Sequence, residues 1–230
     1  MKCAGSSIEL SLLKNCNSEA LCTGGTPEEE EMGYSHRNNI FKESGKDVYR
    51  FHSHTWPSLF FERIKDTNRW NQYKKITVVR NPWDTVVSWY WWSLPGFEKD
   101  SRLLITEKDS QDKIREKFKL FLEMSSIHDS VRPDSMRVFS NPLSFISETN
   151  EKFIDPCIDY YIIFENIQKS YNSVCIDLNL SNTLLLRLKS SQRILSYHYS
   201  KYFSQETENL VREKFKKTIK EFNYTFDHIC

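Results

Sequence analysis

The 230-residue chain is short of several things that would define its class at once. Its six cysteines, Cys3, Cys16, Cys22, Cys157, Cys175 and Cys230, stand at irregular spacing with no C-x-x-C pair, which excludes a disulfide scaffold and the usual zinc ligand patterns and leaves scattered reduced thiols. Thirty-two basic residues against 31 acidic ones give a net charge of +1, so no global field draws the chain to nucleic acid or to an anionic membrane, and any anion site is local. The longest uncharged stretch, Thr85 to Phe97, falls short of the roughly 18 apolar residues a membrane helix needs and carries Ser88, Ser93, Pro95 and Gly96. Met1 to Cys16 interleaves Lys2, Glu9 and Lys14 with short apolar pieces, so no secretory h-region is read there, and the expected location is cytoplasmic. Internal repeats, low-complexity segments and Pro/Ser-rich linkers are missing as well, so residues 1–230 read as a single domain.

What is present is material for a core. Hydrophobic residues make up 39% of the chain and aromatic ones 14%, enough to bury a substantial interior and to exclude disordered and collagen-like classes. Gly5 and Ser6 open a short helix to Leu13, and Cys16 to Ser35, with the acidic run Glu28 to Glu31, reads as a surface loop. Val48 to Phe51 forms a brief strand, and Pro57 starts a helix that runs to about Lys65. The continuous apolar run from Lys75 to Arg80 is the pattern of a strand buried on both faces, and Asn81-Pro82 ends it and begins a helix with Asp84 in its first turn. A helix around Gln111 to Met124 turns Ile114, Phe118, Phe121 and Leu122 to one side. Tyr160 to Phe164 is a second buried-type strand, followed by a helix with Ile167, Tyr171, Val174 and Leu178 on one face. A last helix starts near Ser204 and repeats Val211, Phe215, Ile219 and Phe222. Strands alternating with helices imply an α/β fold with a central parallel sheet covered on both faces.

Two segments carry residues suited to anion chemistry. Lys2-Cys-Ala4-Gly5-Ser6-Ser7 sets a cation, a glycine and two hydroxyls at the mouth of a helix, where unpaired N–H groups and the helix dipole favour a phosphate. The same residues also serve as an ordinary helix N-cap, and the G-x-x-x-x-G-K-[ST] form of a nucleotide triphosphatase loop is not there. In Arg80-Asn-Pro-Trp-Asp84-Thr-Val-Val-Ser88, an arginine leaves the carboxyl end of a strand and a serine follows eight residues later, where both can face one crevice. An equally good reading pairs Arg80 with Asp84.

Taken together these segments resemble the PAPS-dependent sulfotransferase family, in its carbohydrate-sulfotransferase branch. Lys2 to Ser7 is similar to the family's 5'-phosphosulfate loop, P-K-x-x-G-[ST]-[ST]; Val79-Arg80-Asn-Pro-Trp-Asp84 with Ser88-Trp-Tyr is similar to its 3'-phosphate segment, V-R-N-P-x-D followed by S-x-Y. The likeness continues in Tyr160-Tyr-Ile-Ile-Phe-Glu165-Asn-Ile, in Tyr202 to Val211 and in Glu221-Phe-Asn-Tyr224. The resemblance implies a P-loop-like three-layer fold, its central parallel sheet flanked by helices, that moves a sulfuryl group from 3'-phosphoadenosine 5'-phosphosulfate to a hydroxyl of a carbohydrate or glycan acceptor without a metal. It gives Lys2, Ala4, Gly5, Ser6 and Ser7 to the 5' end, with Lys2 also stabilising the leaving phosphate, and Arg80 and Ser88 to the 3'-phosphate. Arg193, in a segment with Lys189 and Ser190 where the family has a loop over the nucleotide, is a further phosphate contact.

The catalytic base is expected in Phe51-His52-Ser53-His54, imidazole being the usual group for that task; the resemblance implies a His ahead of the helix that leads to the 3'-phosphate strand, a placement that His54, 26 residues before Arg80, matches better than His52. Two histidines alternating on an extended segment also suit a metal pair, but no third ligand is visible. His36, His128, His198 and His228 read as ordinary surface histidines, the run Trp89 to Trp92 mostly as core, and Glu107 to Lys119 as a solvated helix face. Residues 95–155 form the variable, acceptor-side region. The family has a strand before its 5' loop where this sequence has only Met1, so the first strand is expected to be missing; Ile163 stands in place of the family's Arg and Thr218 in place of its Asp. Alternatives to the enzyme are a nucleotide-binding relative without activity and a P-loop-type kinase; Golgi lumen replaces cytoplasm if the sequence continues upstream.

Overall fold

In the computed structural model the described residues are 4–23, 31, 37–51, 55–64, 66–96, 100–124, 142–181, 185 and 193–227. They form a mixed α/β structure, mostly helical with a small parallel sheet. The backbone contacts divide the chain into two compact units, one holding the described residues of Cys3–Val79 and Asp155–Leu188, the other those of Arg80–Ile154 and Lys189–Cys230.

In the first of these units, α1 (Gly5–Leu13) is followed by β1 (Ile40–Glu43) and β2 (Lys46–Tyr49). The last two pair antiparallel, Ile40 opposite Tyr49 and Glu43 opposite Lys46. Only the strand at Val48 was legible; the hairpin follows from Ser44 (φ 52°) and Gly45 (φ 78°), two consecutive positive-φ residues of the kind a two-residue type I′ turn requires. Two short helices follow, α2 (Pro57–Ile64) and α3 (Thr67–Gln72), the second capped by Asp66, whose carboxylate accepts from Arg69 N at 3.0 Å. Phe51 stacks on Phe60, and Phe60 and Phe61 both lie against the buried Trp70.

The parallel sheet pairs β3 (Ile76–Val79) with β4 (Tyr160–Ile163), Ile76 opposite Tyr160 and Val79 opposite Ile163. Asp159 fixes the start of both strands by accepting from Lys75 N at 2.8 Å while its own N–H donates to Lys75 O. Alternation along the strands sends Ile76, Val78, Tyr160 and Ile162 to one face, where they pack with Ile8 and Leu12 of α1 and with Tyr171, Val174 and Cys175 of α7 (Ile167–Asp177). The expectation of strands buried on both faces is corrected: Ile76, Thr77 and Val78 are half-buried, and so are all residues of β4 except Ile162. Among the described residues the sheet has two strands, so each has one unpaired edge and cannot reach the burial of a central strand.

The second unit is built on α4 (Pro82–Ser93), whose Trp83, Val86, Val87, Trp89, Tyr90 and Trp91 are all buried, as expected of core; Trp92 is half-buried. Around it pack α5 (Gln111–Glu123), α6 (Pro142–Glu151), α8 (Gln205–Lys214) and α9 (Lys216–Phe222). Ile114, Phe118, Phe121 and Leu122 of α5 line the interior as their spacing foretold, with Phe118 and Phe121 meeting Tyr90 edge-on. Tyr90 also ties down an irregular segment, its hydroxyl donating to Leu103 O at 2.7 Å and accepting from Ile105 N at 2.9 Å.

The single closing helix expected from Ser204 is in fact two. Ser204 and Thr207 form a reciprocal capping box for α8, but Phe215 leaves helical geometry (φ −111°, ψ 26°), and α9 begins after it. Glu151 of α6 makes that break tenable by accepting from Lys217 N at 3.2 Å, from Thr218 N at 3.0 Å and from the Thr218 hydroxyl, which satisfies the amides that the second helix start exposes.

Candidate anion site

The start of α1 is left without a side-chain cap. Ala4 occupies the N-cap position in left-handed backbone (φ 59°, ψ 27°), and the first turn holds no acidic residue. Helix geometry leaves its first amides without intrahelical partners, and the left-handed residue in front of them turns successive N–H groups into a concave nest. Gly5 is exposed, Ser6 half-buried and Ser7 buried. Gly5 is not explained by its own backbone or packing: the positive φ belongs to Ala4, and a Cβ at Gly5 meets nothing within 4 Å among the described residues. Lys2 lies outside the described residues.

The second constellation sits at the head of α4 in the other unit. Asn81 caps the helix, its Oδ1 accepting from Trp83 N at 3.0 Å and Asp84 N at 3.2 Å, and Pro82 fills the first helical position where no N–H is needed. Arg80, the residue after β3, turns back onto Asp84: its Nε and Nη2 donate to Asp84 Oδ2 at 2.8 and 2.6 Å. The pairing of Arg80 with Asp84 that the sequence left open is therefore present. Arg193, 109 positions further along, donates from Nη1 to the other oxygen, Asp84 Oδ1, at 2.9 Å. Its Nη2 donates to Tyr197 O, its guanidinium carbon lies 5.9 Å from the centre of the Tyr202 ring, and its buried Nε has no hydrogen-bond partner among the described residues. The side chains of Arg80, Asp84 and Arg193 are 10%, 19% and 25% exposed, so the cluster is neither sealed nor washed by solvent. Ser88, half-buried, follows Asp84 by one helical turn and so lies on the same face of α4.

Of the residues singled out in the sequence, Arg80 and Arg193 are thus brought together, and Ser88 lies one turn beyond the carboxylate they share. Ala4, Gly5, Ser6 and Ser7 form the mouth of α1. His52 and His54, the expected bases, lie outside the described residues, as do Lys189 and Ser190. His198 caps a short 3₁₀ turn (Tyr199–Tyr202), with its Nδ1 2.9 Å from Ser200 Oγ, a structural role in keeping with its reading as an ordinary histidine. Asp84 as the hub of the cluster was missed, although its four-residue offset from Arg80 was visible; nothing in the sequence pointed to Tyr197 or Tyr202 as the wall beside Arg193.

One other sequence reading changes. The stretch Glu107 to Lys119 is not wholly solvated, because Lys117 is 7% exposed and its ammonium donates to Leu104 O at 2.6 Å and to both oxygens of Asp109 at 2.8 and 2.9 Å. Asn179 and Asn223 adopt left-handed backbone (φ 53° at both) just past the ends of α7 and α9, where that residue type terminates helices. Cys16, Cys22, Cys157 and Cys175 are free thiols. Among the described residues no helix is long and apolar enough to cross a membrane, and no group of three or more His, Cys, Asp or Glu side chains is placed to hold a metal ion.

No family model matches the chain, and no curated protein and no solved structure matches it.

Proposed function

We propose that the chain is an O-sulfotransferase that moves a sulfuryl group from 3'-phosphoadenosine 5'-phosphosulfate to a hydroxyl of a carbohydrate acceptor, on a P-loop-like three-layer fold. The observation that carries this reading is the convergence of Arg80 and Arg193 on Asp84, with Ser88 one turn beyond. Both arginines are given to phosphate contact by the family resemblance, and although far apart in the sequence they meet on one carboxylate. Forked guanidiniums are suited to two-point contact with a phosphate monoester. A glycine at the start of α1 that neither backbone nor packing requires is what close approach of a 5'-phosphosulfate calls for.

In this reading His54 takes the proton of the acceptor hydroxyl, with His52 as the neighbouring candidate. The acceptor oxygen forms a bond to sulfur as the bond from sulfur to the 5'-phosphate oxygen breaks. The 3',5'-bisphosphate leaves with the electron pair, its charge met by Lys2 and the first amides of α1. Positioning and electrostatic stabilisation supply most of the rate, as in phosphoryl transfer.

The test is transfer of radiolabelled sulfuryl from the donor to a panel of desulfated glycans, using the full chain and its His54→Ala variant. Label in glycan that falls by about 100-fold or more in the variant, with nucleotide binding retained, is the expected result. Undiminished transfer in His54→Ala removes His54 as the base. Nucleotide binding without transfer to any acceptor assigns the chain to the inactive-relative alternative.

A further inference from the structure

We propose that Asp84 is the positioning residue of the anion site, holding Arg80 and Arg193 in the spacing that grips a phosphate monoester; this rests on the sulfotransferase reading, in which that monoester is the 3'-phosphate of the nucleotide. Both arginines converge on Asp84, which divides its oxygens between them: Oδ2 takes two N–H groups of Arg80, Oδ1 takes one of Arg193. Arg80 is anchored by being next to β3, and Asp84 by the first turn of α4. Arg193 belongs to no helix or strand, so its guanidinium is placed by its contacts alone: Asp84, Tyr197 O and the face of Tyr202. Of these, only Asp84 also holds Arg80.

Arg193 has five N–H donors; it donates to Asp84 and to Tyr197 O, and among the described residues no acceptor meets its buried Nε. A buried donor without an acceptor is costly to keep, and an anionic oxygen is the partner that removes the cost. Without the carboxylate, two like charges are left to repel, and a rotamer-rich side chain loses its anchor, so that the fork must be ordered again at each binding event.

Two accounts of Asp84 therefore predict opposite signs. If Asp84 merely competes with the ligand for the arginines, Asp84→Asn adds a net positive charge and tightens anion binding. If Asp84 positions them, the same change weakens it. Calorimetric titration of the full chain with 3'-phosphoadenosine 5'-phosphate and with AMP, which lacks the 3'-phosphate, reads the increment due to that group. Asp84→Asn is expected to reduce this increment tenfold or more with AMP binding unchanged, Asp84→Glu to restore part of it, and Asp84→Asn to add no further loss in an Arg193→Gln background. An increment in Asp84→Asn equal to or larger than that of the wild type overturns the inference and leaves the sulfotransferase reading standing. A wild type with no preference for the bisphosphate over AMP overturns both. Should Asp84→Asn fail to fold, Asp84→Glu with Arg193→Gln decides: an undiminished increment in Asp84→Glu, or losses that simply add in the double variant, overturns the inference.

Discussion

Asn39 and Phe51 hold each other by a reciprocal pair of hydrogen bonds: Phe51 N donates to Asn39 Oδ1 at 2.9 Å, and Asn39 Nδ2 donates to Phe51 O at 2.8 Å. Asn39 O also accepts from Arg50 N at 2.8 Å, so one fully buried asparagine closes the base of the hairpin formed by β1 and β2. Phe51 directly precedes His52 in the sequence. Asn39→Ala removes both side-chain bonds and strands the Phe51 amide and carbonyl. The expected cost is about 2–3 kcal/mol, read as a lower midpoint in urea with an unchanged slope. A loss below about 0.5 kcal/mol contradicts this placement of Asn39.

Gly5→Ala separates folding from binding. Nothing described lies within 4 Å of the new methyl group and Gly5 has no positive φ, so the substitution is expected to leave stability unchanged or raise it by about 0.5–1 kcal/mol. Affinity for 3'-phosphoadenosine 5'-phosphate is expected to fall at least tenfold, because the methyl group occupies the approach to the first amides of α1. Thermal melting and calorimetry on the same preparation check both halves. Unchanged affinity argues that Gly5 is an ordinary helix start.

Acid weakens the chain through identifiable carboxylates. Burial raises the Asp109 pKa, but hydrogen bonds from Lys117 and from Thr106 outweigh it and hold the group below the usual value. The backbone N–H of Lys75 lowers the Asp159 pKa, burial opposes it, and the Lys75 and Lys74 ammonium groups lower it further. A folded-state pKa below the unfolded one gives stability that is complete above about pH 4 and is lost as pH falls through the folded value. Melting temperature measured from pH 7 to pH 2.5 should fall steeply at the acid end. Asp109→Asn should flatten that fall while costing about 2 kcal/mol at pH 7, since it leaves the buried Lys117 without its counter-charge.

Cys157 is a poor nucleophile at neutral pH. Burial first, and then the neighbouring Asp155, push its thiol up to about 11, so the thiolate is scarce near pH 7.5. Alkylation with iodoacetamide followed by mass spectrometry should find Cys157 modified more slowly than the exposed Cys16 at pH 7.5, and its rate rising towards pH 11. Rapid labelling at pH 7.5 contradicts the environment described.

The parts of the fold that rest on local signals were legible in the sequence. Asn81-Pro82 capped α4, Ser204 capped α8, and the apolar stripe of α5 is buried, because capping and 3.6-residue periodicity are written in neighbouring positions. Features that depend on distant partners were not. The break at Phe215 leaves the periodicity of the last helix nearly intact, and what satisfies it is Glu151, more than sixty residues away. Lys117 sits in a charged stretch indistinguishable from a solvated face until Leu104 and Asp109 fold over it. The half-burial of β3 was invisible because Ile-Thr-Val-Val has the same apolar content whether a strand has one neighbour or two. At the candidate site, Arg80, Ser88 and Arg193 were legible as residue types at suggestive positions and Asp84 as a partner for Arg80, whereas the bond that brings Arg193 onto the same carboxylate emerged only from the geometry.

The most direct measurement is calorimetric titration of the full 230-residue chain with 3'-phosphoadenosine 5'-phosphate, AMP and ATP, repeated on the Arg80→Ala and Arg193→Ala variants. The account predicts binding of the bisphosphate at least tenfold tighter than AMP or ATP, with that preference lost in both variants. Equal affinity for all three nucleotides, tighter binding of ATP, or a preference that survives both substitutions contradicts it.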